Sequence, residues 1–170
     1  MAYNPADLSP GQIILCLPTP RESLAARALD AAIAWSTDGP FVHAAMAADS
    51  DHLIEQVATI RLSPLDAYAA NGWAFSVAGA SPAQASRAVD AFRARLGQPY
   101  GIMELLAMGG YYDLHAVRLA TRHSRWTVCS TAVERAWRAA GIILSERPLV
   151  APNDLAFSPV LLGSRPWRRD

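Results

Sequence analysis

The stretch FVHAAMAADSDHLIEQVATI, residues 41–60, places two short apolar runs on either side of the polar tripeptide Asp49-Ser50-Asp51. Such a tip between two strand-length segments specifies an antiparallel ribbon. With a three-residue tip, opposing residue numbers sum to about 100, which sets Glu55 against Ala45 and His43 against Val57. His43 and Glu55 then share one face of the ribbon as diagonal neighbours, while His52 and Gln56 turn to the other. A slip of one residue would part His43 from Glu55 and make Gln56 its rival. Alanine and methionine are indifferent strand formers, so the tip and the alternation carry this assignment.

Other elements fall into place around the ribbon. GQIILCL (11–17) follows a Pro-Gly turn and reads as a buried strand, with Cys16 in the core. Thr19, Pro20 and Glu22 form a capping-box pattern, and the helix predicted to follow, as far as Trp35, sets Leu24, Ala28, Ala31, Ala32 and Trp35 on one inward face. WAFSVAG (73–79) is a further strand. SPAQ (81–84) caps a second helix with Val89, Phe92 and Leu96 inward, closed by Gly97. Residues 102–122 are expected to be helical, with a break at Gly109-Gly110. A last long helix opens at Cys129, faces the core with Ala132, Val133, Ala136, Trp137 and Ala140, and stops at Gly141. VAPNDLAFSPVLL is expected to close the chain as loop and short strand. Strands clustered early with helices around them give the class α+β, and 170 residues suit a single domain spanning 1–170.

Composition sets the outer bounds. The chain is 52% hydrophobic and 18% charged, as in globular proteins, and its basic residues are all arginine. A formal net charge of zero gives no general attraction to nucleic acid or anionic membranes. The basic C-terminal RPWRRD reads as a solvated tail. The most apolar later stretch, GIMELLAMGGYYDLHAVRLA, is broken by Glu104, Gly109, Gly110, Asp113 and His115, so no membrane span is expected. Two cysteines make no disulfide framework and no CxxC pair, and the N-terminus lacks a basic-then-apolar signal pattern. A reduced, cytoplasmic setting is the default expectation, with any export by a non-classical route.

The chemistry centres on RWTVCSTAVERAW, residues 125–137, where a polar, β-branched stretch gives way to a helix at Cys129. A thiol at a helix N-terminus sits beside unpaired N–H groups and the positive end of the macrodipole, both of which favour the thiolate. An oxyanion formed by attack from that position would meet the same N–H groups. The thiol still needs a base and a group to orient that base. His43 with Glu55 supplies both. Ser130 and Thr131 read as capping hydroxyls. The spacing of His52, His115, His123 and Asp113 fits no ligand pattern, so no metal is expected, and no cofactor is required.

Taken together, these residues resemble the circularly permuted papain-fold cysteine hydrolases, the YiiX-like amidases of the NlpC-type superfamily that also includes lecithin:retinol acyltransferase relatives. GQIILCL matches the opening strand, FVHAAMA the histidine strand and HLIEQV the acid strand. LGQPYG precedes the middle region, VCSTAVERAW is the nucleophile helix, and APNDLAFSP lies near the end. The order is permuted: histidine, then the third polar residue, then cysteine. The histidine strand is richer in alanine than in such enzymes, and Gly101 follows Tyr100 where relatives often carry aspartate or asparagine.

The resemblance implies a permuted papain-like fold, an antiparallel sheet with the nucleophile-bearing helix packed on it. It implies Cys129 as nucleophile, His43 as general base, Glu55 as orienting residue and Tyr100 as a substrate contact. The activity implied is hydrolysis of peptide-like amides through an acyl-thioester. Two other functions use the same features. One is acyl transfer, or hydrolysis of a lipid ester or amide, with the apolar 102–120 segment as a lipid-facing wall. The other is a non-catalytic binding or assembly module that keeps the fold. Oligomeric state has no signature in the sequence.

Overall fold

A computed structural model describes residues 4–19, 27, 30, 31, 33–35, 37–99, 101, 127–147 and 149–163. Its centre is a six-stranded, wholly antiparallel sheet: β1 (Ile13–Cys16), β2 (His43–Ala47), β3 (His52–Gln56), β4 (Ile60–Pro64), β5 (Gly72–Val77) and β6 (Leu161–Gly163). The order across the sheet is β4-β3-β2-β1-β5-β6. The chain thus builds outward from β2 through two successive hairpins, then returns to pair β5 with the other edge of β1. With helices packed on this sheet, the class is α+β.

The ribbon has the register expected from its tip. Ala45 pairs with Glu55, Met46 with Ile54 and Ala47 with Leu53. Because side chains alternate, one face presents Ala44, Met46 and Ile54, together with Ile13, Leu15 and Phe75 from neighbouring strands. The other presents Ala45, Ala47 and Leu53 with Ile14 and Cys16. Two helices cover the first face: α1 (Pro82–Arg93) and α2 (Cys129–Ala139). Their buried stripes are Ala88, Val89 and Phe92 on α1, and Ala132, Val133, Ala136 and Trp137 on α2. Truncating an aromatic such as Phe92 or Trp137 in a core of this kind costs about 3–5 kcal/mol. Leu8 and the segment 65–71, through Leu65 and Tyr68, pack over the second face.

Local signals account for most helix ends. Ser81 and Gln84 form a reciprocal capping box at α1, with Gln84 N–H donating to Ser81 Oγ at 3.2 Å and Ser81 N–H to Gln84 Oε1 at 3.0 Å. α2 ends where expected, with Gly141 at φ 88°, a left-handed conformation that glycine adopts without steric cost.

Several expectations need correction. The helix predicted as far as Trp35 is helical at Arg27, Asp30, Ala31 and 33–35, but Trp35 is 77% exposed and Ala31 is also exposed, so its apolar face does not turn inward there. Leu24, Ala28, Ala32 and the capping residues Pro20 and Glu22 lie outside the described residues. α1 stops at Arg93, so Leu96 falls beyond its last turn and is half-exposed. The loop expected at APNDLAF contains a short helix, α3 (Pro152–Ala156): Pro152 is pre-set for a first helical position and Asp154 accepts from Ala151 N–H at 2.8 Å. β4 was not expected at all. The predicted helix over 102–122 and the RPWRRD tail lie outside the described residues.

No helix among the described residues is long and apolar enough to cross a membrane.

Candidate active site

His43 is the first residue of β2, and the register fixes which way it points. Its Nε2 lies 2.8 Å from Oε2 of Glu55, the diagonal contact that the hairpin geometry predicts. The imidazole is also hydrogen-bonded to the side chain of Cys129, the first residue of α2, which leaves Nδ1 to face the sulfur. Thiol, imidazole and carboxylate therefore form one continuous relay. The thiol is buried but not walled by hydrocarbon: besides His43, the Ala44 and Ser130 backbone N–H groups donate to it.

Electrostatics follow from these contacts. Burial alone would push the Cys129 thiol up, but the charge and hydrogen bond of His43, with the two backbone donors, bring it below its ordinary value. Burial likewise opposes the charged form of His43. The Cys129 thiolate and the Glu55 carboxylate outweigh it and raise the imidazole to about 10. Both shifts favour the thiolate–imidazolium form of the pair. Burial would also raise Glu55, yet hydrogen bonds from His43, Ser63 and Tyr68 and the charge on His43 bring it down to about 2.

Glu55 has no exposed surface, and its two oxygens are filled with donors. Oε1 accepts from Arg61 Nε at 3.2 Å, Arg61 Nη2 at 3.0 Å and Ser63 Oγ at 2.5 Å. Oε2 accepts from His43 and from the Tyr68 hydroxyl at 2.5 Å. Arg61 and Ser63 both come from β4, the strand missed in the sequence, which pairs Arg61 directly with Glu55. Ser63 sits two residues further along the same face. The alternation within IRLSP is the signal that would have found them.

Gln56, the rival to Glu55, turns away from His43. Its amide donates to Pro99 O at 3.1 Å, and its Oε1 accepts from Thr127 Oγ1 at 2.5 Å. Gly101 N–H donates to Thr127 O at 2.9 Å in the same strip. Gln56 thereby ties β3 to the segment leading into α2, two residues before Cys129. Ser130 and Thr131 do not cap the helix, whose N-cap is Val128 without a side-chain bond. Ser130 Oγ instead donates to Val150 O at 2.6 Å, anchoring the first turn of α2, while the buried Thr131 hydroxyl finds no partner among the described residues.

On the opposite flank, buried Asn153 of α3 clasps the backbone two residues before His43. Phe41 N–H donates to Asn153 Oδ1 at 3.0 Å, and Asn153 Nδ2 donates to Phe41 O at 3.0 Å and Thr37 Oγ1 at 2.6 Å. Sequence reasoning does not single out Asn153; the local signal beside it is Pro152, which is suited to a first helical position.

The remaining candidates stand apart. Cys16 is a buried core cysteine on β1, opposite His43 in register. His52 is exposed at the hairpin tip, where Nδ1 lies 2.9 Å from Asp49 Oδ1. Tyr100, His115, His123 and Asp113 lie outside the described residues. Among the described residues no cluster of His, Cys, Asp or Glu could hold a metal ion.

The fold and site define an α+β protein with a buried cysteine–histidine–glutamate relay. No protein-family model matches the chain. No curated protein matches it either.

Proposed function

We propose that this protein is a cysteine hydrolase of amide bonds, built on a circularly permuted papain-like scaffold. Cys129 is the nucleophile, His43 the general acid and base, and Glu55 the residue that orients His43. The observation carrying this is the His43 ring, bonded to Cys129 on one side and to Glu55 Oε2 at 2.8 Å on the other. The order of His43, Glu55 and Cys129 along the chain, and the packing of the cysteine helix on an antiparallel sheet, support the permuted scaffold.

The Cys129 thiolate attacks the substrate carbonyl carbon; a C–S bond forms and the carbonyl π pair moves onto oxygen. First-turn N–H groups of α2, led by that of Cys129, receive the oxyanion. The imidazolium gives its proton to the amide nitrogen as the C–N bond breaks, leaving an acyl-thioester and a free amine. Neutral His43 then takes a proton from water, whose oxygen attacks the thioester. The acid departs, and thiolate and imidazolium are restored. An amine is a poor leaving group until protonated, so an imidazole that holds its proton at neutral pH favours amides as substrates. Peptide-like amides are the substrate class.

The test is labelling by a cysteine-directed electrophile at neutral pH, with turnover on a panel of peptide amides. Cys129→Ala is expected to abolish both while keeping the fold, and Cys16→Ala to leave labelling intact. Full labelling in Cys129→Ala, carried by Cys16, would sink the proposal.

A further inference from the structure

Tyr68 comes from the turn-rich segment between β4 and β5, and that segment is tied down at both ends. Leu65 N–H donates to Asp51 O at 2.9 Å, and Leu17 N–H to Asn71 O at 2.9 Å. Asn71 Nδ2 donates back to Leu17 O at 2.6 Å. Between these anchors, the Tyr68 ring lies against the His43 imidazole, with centroids 5.4 Å apart and planes inclined by 47°. Its hydroxyl donates to Glu55 Oε2, the same oxygen that accepts from His43 Nε2.

We propose that Tyr68 is a positioning residue for His43: by sharing Glu55 Oε2 and bracing the ring, it fixes the imidazole plane and limits how firmly the carboxylate holds the imidazolium proton. This rests on the proposed hydrolase. In that cycle the proton on His43 must leave for the amine and return from water. A carboxylate with Oε2 given wholly to His43 would hold the imidazolium more tightly and slow both transfers. Two donors on one oxygen divide its accepting capacity. Tyr68 is suited to the task because burial and Glu55 push its phenol up, so it stays a donor at every working pH.

The groups facing this pair among the described residues are Cys129 of α2 and Cys16 of β1 on the His43 side, and Arg61 and Ser63 of β4 on the Glu55 side. Among the described residues only Tyr68 meets both His43 and the shared oxygen. Ser63 gives a built-in control, since it donates to Oε1 at 2.5 Å.

The experiment follows iodoacetamide alkylation of Cys129 against pH in the wild-type chain, Tyr68→Phe and Ser63→Ala, with kcat and KM on a peptide amide. Tyr68→Phe keeps the ring and loses only the hydroxyl. It is expected to move the acid-side midpoint of alkylation down by about one pH unit, tenfold more thiolate at a given pH on that limb. It should also lower kcat severalfold with KM unchanged. Ser63→Ala is expected to move the midpoint distinctly less. An unchanged or raised midpoint in Tyr68→Phe, or equal shifts in both variants, would overturn the inference while leaving the hydrolase standing. A wild-type thiol that titrates as a free one, near 8.5, would instead remove the hydrolase itself.

Discussion

Replacing Glu55 with glutamine tests the relay at its most buried member. In the folded chain the carboxyl ionises at about 2, against 4.5 for the free side chain. A difference of that size corresponds to about 3 kcal/mol of folding stability. Because the folded value is the lower one, this stability is fully present above pH 4.5 and is lost as pH falls towards 2. His43 is displaced the other way, to about 10, so its contribution is complete below 6.5 and fades as pH rises through 10. Both displacements contain the same His43–Glu55 bond and cannot be added.

Glutamine keeps the shape but replaces one accepting oxygen with an NH2 donor. With Oε1 still taken by Arg61 and Ser63, the amide nitrogen faces the Tyr68 hydroxyl and His43 Nε2. The hydroxyl can rotate to accept, whereas Nε2 can accept only from the neutral imidazole, which would then carry its proton on Nδ1. The thiolate loses its cation, and Cys129 should revert towards an ordinary thiol. At about pH 6.5 an ordinary thiol is roughly 1% ionised, so alkylation should slow about 100-fold. Alkylation followed by mass spectrometry of the Cys129 peptide measures the first effect. Urea unfolding at neutral pH measures the second: the variant should be about 3 kcal/mol less stable, a gap that closes as the wild type is taken below pH 4.5. Wild-type alkylation at pH 6.5 together with a stability loss below about 0.5 kcal/mol would refute the assignment of Glu55.

Two further substitutions probe how the relay is held from its flanks. Asn153→Ala strands the Phe41 N–H and C=O in a buried setting; a loss of about 2–4 kcal/mol is expected in urea unfolding, with slower Cys129 alkylation because the backbone before His43 is no longer clasped. Gln56→Leu, of similar volume, breaks the links to Pro99 and Thr127; it is expected to cost about 1–3 kcal/mol and to lower kcat without moving the pH profile, since Gln56 lies on the face opposite His43. A pH profile displaced as in Glu55→Gln would place Gln56 in the relay instead.

What the sequence made legible was local. The Asp49-Ser50-Asp51 tip and the two-residue period set the register, and the register alone put His43 beside Glu55. The alanine-rich stripe from Ala132 to Ala140 and Gly141 marked α2, and with it the first-turn N–H groups that follow from a helix starting at Cys129. What stayed hidden was polar and long-range. Arg61, Ser63, Tyr68 and Asn153 reach the site from an edge strand, a turn and a one-turn helix; the strand alternates over only five residues, and the turn and the short helix have no periodic signature. Trp35 and Leu96 misled for a related reason: helical spacing says which residues share a face, but not whether another element covers it.

The four charges at the centre explain why a glutamate can serve where a neutral amide would be simpler to bury. A carboxylate without compensation would cost several kcal/mol in such a site. Here the charges alternate along a chain, Cys129 negative, His43 positive, Glu55 negative, Arg61 positive, and each inner member is bonded to an opposite charge on both sides. Arg61 stands at the outer end with 56% of its side chain exposed, so it neutralises Glu55 without giving up its own hydration. At the inner end, Ala44 and Ser130 N–H groups serve the thiolate without adding a net charge. The cluster is neutral in sum, and its desolvation falls mainly on Cys129, His43 and Glu55. That arrangement requires β4 to lie beside β3 with Arg61 opposite Glu55, so the strand with the weakest sequence signal is the one that makes the buried carboxylate affordable.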